Sequence, residues 1–145
     1  MTEQTEHMKD LLMQLRDEYS TVNPIYLIEE LGIEVQYVDF LEYPNGLYQK
    51  VFDDKVILIS EKIETSNKRY FVLAHELHHA LEHEDIVSYY TQNSKNRSKI
   101  EHEADLFATI VCLNLFIEEY GVESMTKQDL ENLYGLPMEL SEKYL

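Results

Sequence analysis

Residues 75–79 read His-Glu-Leu-His-His. Apolar residues recur at helical period around them, over about residues 67–83, so the string belongs to one helix. At about 100° per residue, His75 and His79 lie about 40° apart on one face, one turn apart along the axis. Two imidazole nitrogens then converge on one point, as zinc requires of its first two ligands. Glu76 sits about 100° round from His75, beside that point, where a carboxylate can take a proton from an attacking water. Tyr70, Leu73, Ala74, Leu77, Ala80 and Leu81 form an apolar face opposite the histidines. The helix is therefore packed, and its His face borders a cleft.

A catalytic zinc site needs a third protein ligand and one open position. The run Glu101-His102-Glu103-Ala104-Asp105 follows after enough chain for a loop and a returning helix. Glu101 and Asp105 share a face, so Asp105 can hold the far N–H of a ligand histidine, with His75 the expected partner. A second reading stays open. Ser98-Lys99-Ile100-Glu101 is also a capping box with Glu101 at its third helical position, which would leave Glu103 or His102 as the ligand. His83 lines the cleft or serves as a cation at the helix C-terminus. His78 lies off the metal face and is given no role.

Upstream, residues 4–19 form an amphipathic helix, with Met8, Leu11, Leu12, Leu15 and Tyr19 on the side that docks to the core. Asn23-Pro24 starts a short helix that Gly32 stops. Residues 33–38 alternate as a half-buried strand. Residues 47–52 and 55–60 read as a hairpin around Asp53-Asp54, after the turn signal Asn45-Gly46. The expected sheet is small, about three antiparallel strands, and Thr65 or Ser66 caps the His-bearing helix. Residues 92–99 read as an exposed loop. A helix over about residues 98–120, apolar nearly all round and therefore central, ends at Gly121. Two short helices follow, one capped by Thr126 and one starting at Pro137. The fold class is α+β, mostly helical, one domain over residues 1–145 with residues 123–145 as its helical tail.

The net charge of −16 disfavours direct contact with nucleic acid and fits a basic protein partner. The lone cysteine, Cys112, permits no internal disulfide and fits a reducing cytoplasm. The first residues lack a signal-peptide pattern, and no apolar run is long enough to span a bilayer.

Together, Ala74-His75-Glu76-Leu77-His78-His79 and Glu101-x-x-Ala104-Asp105-x-Phe107-Ala108 resemble the two motifs of the ImmA/IrrE family of metallopeptidases, a gluzincin-type zincin group. The resemblance covers about residues 24–145 and includes the turn at Gly46-Leu47-Tyr48 and the strand Val56-Ile57-Leu58-Ile59. It implies one zinc ion held by His75, His79 and Glu101, with Glu76 as general base and Asp105 behind a ligand histidine. It also implies cleavage of a helix-turn-helix repressor that silences a prophage, mobile element or stress regulon. This sequence departs from the family where His78 stands in place of the usual Gly, and where Cys112-Leu113-Asn114 replaces a Leu-Met-Pro-like segment. The tail, with Lys127 and Lys143 among five acids, is a poor DNA reader. Two rival readings are a zinc-stabilised module that sequesters the repressor uncut, and the toxin half of a toxin–antitoxin pair.

Overall fold

The computed structural model describes residues 2–41, 45–84 and 94–145, the last segment with its side chains from Arg97 on. The elements are α1 (Glu3–Tyr19), α2 (Pro24–Glu30), β1 (Glu34–Val38), β2 (Gly46–Val51), β3 (Asp54–Ser60), a 3-10 turn (Glu61–Ile63), α3 (Lys68–Glu82), α4 (Ser94–Tyr120), α5 (Lys127–Tyr134) and α6 (Met138–Tyr144). The class is α+β, mostly helical with one small sheet.

That sheet is mixed, not wholly antiparallel as expected. Its order is β1-β3-β2, with β1 parallel to β3 and β2 antiparallel to it. The reason lies in side-chain polarity. Strand β3 carries Val56-Ile57-Leu58-Ile59, and Ile57 and Ile59 are fully buried. Such a strand belongs between two neighbours, while β1 and β2, with exposed Glu34, Gln36, Gln49 and Lys50, suit edges. Alternation within a strand does not encode which neighbour it takes. The hairpin turn is Phe52-Asp53, one residue earlier than expected, in the register that sets buried Tyr48 opposite buried Ile57. Phe52 takes φ +58 to make it.

Helix α4 is the spine of the core. Ala104, Phe107, Ala108, Val111 and Cys112 are fully buried, and Leu106, Ile110, Leu115 and Phe116 nearly so. This is the burial expected of a helix apolar nearly all round. It begins at Ser94, a turn earlier than expected. A polar first turn suffices when later turns are docked, because tertiary contact carries the helix. The expected loop over residues 94–99 is therefore helical, while Gln92 and Asn93 lie outside the described residues.

Helix α3 packs along α4, and α1 lays Met8, Leu12 and Leu15 into the same core. The tail joins it through Leu130, Tyr134 and Leu136. Gly135 makes this possible. Its φ is +74, and a Cβ there would stand 2.4 Å from Lys68 Cα, at the start of α3. Asn67, not Thr65 or Ser66, occupies the N-cap position of α3 and makes no side-chain cap bond. Ser66 still contributes, since its Oγ accepts from Lys68 N–H at 3.1 Å. Among the described residues no helix is long and apolar enough to cross a membrane.

Candidate active site

Helices α3 and α4 bring His75, His79 and Glu101 to one point. His75 Nε2 lies 3.0 Å from Glu101 Oε2, His79 Nε2 lies 2.9 Å from Glu101 Oε1, and the two Nε2 atoms are 3.2 Å apart. Tetrahedral ligands at about 2.0–2.1 Å from a zinc ion stand about 3.3 Å from one another. The two imidazole nitrogens are close to that spacing, each sits beside one oxygen of Glu101, and the group can hold a metal. The capping-box alternative for Glu101 falls away, because α4 starts at Ser94 and places Ser98 inside the helix. His102 is exposed, and Glu103 engages His83 instead.

The electrostatics follow from packing three polar groups this closely. Burial opposes the charged form of His75, but Asp105, Glu101 and Glu76 outweigh it and push its pKa up to about 10. Burial also works against the Glu101 carboxylate, yet His75 and His79 hold it well below the usual range. A metal cation can replace the proton that these carboxylates keep on the site.

Asp105 stands where expected, its Oδ1 2.9 Å from His75 Nδ1, although off the line of an ideal hydrogen bond. Glu76 is buried beside the group, with Oε2 3.8 Å from His75 Nε2. Its Oε1 accepts from the backbone N–H of Tyr48 at 2.9 Å. Burial raises the Glu76 pKa, and His75 and His79 counter it in part. Strand β2 reaches Glu76 because residue 46 is glycine. A Cβ there would meet Val72 Cγ1 at 2.6 Å and Glu76 Cγ at 3.1 Å.

Two features escaped the sequence reading. His83 is neither an exposed cation nor a bare cleft residue. It is 3% exposed, with Nδ1 3.0 Å from His79 Nδ1 and Nε2 2.9 Å from Glu103 Oε2. Burial lowers its pKa, with Glu103 pulling the other way. His78 is fully buried against Phe107 and His83. Its Nε2 lies 2.7 Å from Glu82 Oε1, and Glu82 Oε2 lies 2.7 Å from His7 Nε2, which ties α1 to α3. The four-residue spacings 78–82 and 79–83 were the available signal. By sequence Tyr48, Tyr89, Tyr90 and His83 are equivalent candidates for a further oxyanion donor, and of these Tyr89 and Tyr90 lie outside the described residues.

Residues 28–143 match the model of the peptidase family M78, the IrrE N-terminal-like domain. The chain belongs to that family. Comparison with curated proteins returns no match. The M78 assignment makes this a metallopeptidase-type domain, and the His75–His79–Glu101 group is where such a domain would hold its metal.

Proposed function

We propose that this M78 protein is a zinc-dependent protease of the cytoplasm that cuts a helix-turn-helix repressor. The observation that carries the reading is the convergence of His75, His79 and Glu101 at 2.9–3.2 Å with Glu76 alongside but outside the group. Three protein ligands leave one position for chemistry, as catalytic zinc sites do. A bound zinc ion would act as a Lewis acid on water and on the scissile carbonyl. Glu76 takes the proton of the attacking water at Oε2, while Tyr48 N–H keeps Oε1 in place. The same carboxyl then gives that proton to the leaving amine nitrogen. Asp105 keeps His75 turned toward the metal.

Strand β2 lies at a sheet edge, and its Tyr48 N–H points to Glu76. An extended substrate added along that edge would run past the base. The choice of partner follows charge. DNA-binding repressors carry basic faces, and a chain of net charge −16 attracts them while repelling nucleic acid. The tail then acts as part of one catalytic domain, since its apolar residues share the core.

The test is incubation of the purified protein with the repressor encoded beside it, with zinc and with zinc plus chelator. Defined fragments should form only when the metal is free to bind. A repressor left whole in both samples would count against the proposal.

A further inference from the structure

We propose that Glu103 and His83 form a relay that orients His79 for the metal, an inference that rests on the metal centre proposed above. His79 Nδ1 and His83 Nδ1 are 3.0 Å apart, so one ring must donate and the other accept. Glu103 decides which. A carboxylate only accepts, and Glu103 Oε2 lies 2.9 Å from His83 Nε2. The His83 proton therefore sits on Nε2, and its Nδ1 carries a lone pair. That lone pair receives the Nδ1–H of His79, which leaves His79 Nε2 bare and directed at Glu101 and His75.

Each ligand histidine then has its own carboxylate on α4. Asp105 reaches His75 directly. Glu103 reaches His79 through an intervening ring, because His79 sits one turn further along α3. Burial makes the device rigid, since His79 and His83 are each 3% exposed and their rings stand 5.1 Å apart. His83 and Glu103 are positioning residues, for neither is in the metal-holding group.

The test is zinc affinity by competition with a chromophoric chelator, with cobalt(II) absorption as a second readout of ligand geometry. Outer groups of this kind contribute about 10–100-fold to metal affinity. His83→Phe keeps a ring but removes the acceptor, and Glu103→Leu removes the group that sets the tautomer. Each should weaken zinc by about 10–100-fold and alter the cobalt spectrum. The double variant should bind no more weakly than His83→Phe alone, because both act through one chain of contacts. His83→Asn, whose Oδ1 can stand where Nδ1 stood, and Glu103→Gln, which still accepts, should stay within a few-fold of wild type. Glu103, one-fifth exposed at its side chain, also serves if His83→Phe does not fold. Wild-type affinity in a folded Glu103→Leu protein would overturn the relay while leaving the metal centre intact. Absence of zinc binding by the wild type would overturn both.

Discussion

The backbone N–H of Tyr48 donates to Glu76 Oε1 at 2.9 Å, joining the edge strand to the HExxH helix. One oxygen of the proposed base is thereby fixed by the sheet, and the other is left facing His75. The contact depends on how closely β2 can approach α3, which Gly46 permits.

Gly46→Ala should push the strand away. The new methyl would overlap Val72 Cγ1 at 2.6 Å, and overpacking of this kind costs about 1–3 kcal/mol. Denaturant melts should show that loss, and Val72→Ala in the same chain should restore part of it. An unchanged midpoint for Gly46→Ala would mean that β2 has slack at this point.

Glu101→Gln should strip the metal and Glu103→Gln should keep it. Glu101 faces His75 and His79, whereas Glu103 reaches His83. Metal content of the two purified variants separates them. The reverse pattern would mean that the wrong carboxylate of α4 has been assigned to the metal.

Metal binding should stabilise the fold. A ligand at 1,000 times its dissociation constant adds about 4.1 kcal/mol. Thermal melts with zinc and with chelator should differ accordingly, and His79→Ala should show no difference between them.

His78 should make the metal-free protein sensitive to mild acid. Burial and then His83 lower its pKa to about 4, against the pull of Glu82. The unfolded chain binds this proton near pH 6.5, so the stability contributed by the neutral ring is complete above 6.5. It is lost as pH falls through 6.5 toward 4. In chelator, the melting temperature of wild type should drop more steeply across that window than that of His78→Leu. Parallel curves would remove His78 as the cause.

The parts of the site that depend on helical period were legible in the sequence. His75, His79 and Glu76 follow from 100° per residue, and Asp105 follows from its four-residue spacing to Glu101. Choosing among Glu101, Glu103 and His102 from spacing needed the start of α4, which a polar turn with no apolar marker conceals. The burial of His78 was hidden for a different reason. A helix wheel shows which residues share a face, but not that α1 brings His7 to Glu82 or that α4 brings Phe107 against the ring. The parallel pairing of β1 with β3 is likewise a choice between neighbours, and no single strand's alternation contains it.

The most direct measurement compares wild type with Glu76→Gln, both loaded with zinc, on the repressor substrate, with fragments identified by mass spectrometry. Glu76 lies beside the His75–His79–Glu101 group and not in it, so the neutral isostere should keep the metal and the fold. General-base catalysis contributes about 10²–10⁴ in rate, so cleavage should fall at least 100-fold, to the lower end of that range or beyond. A Glu76→Gln protein that cuts at the wild-type rate, or that relieves repression fully while the repressor stays whole, would contradict the account.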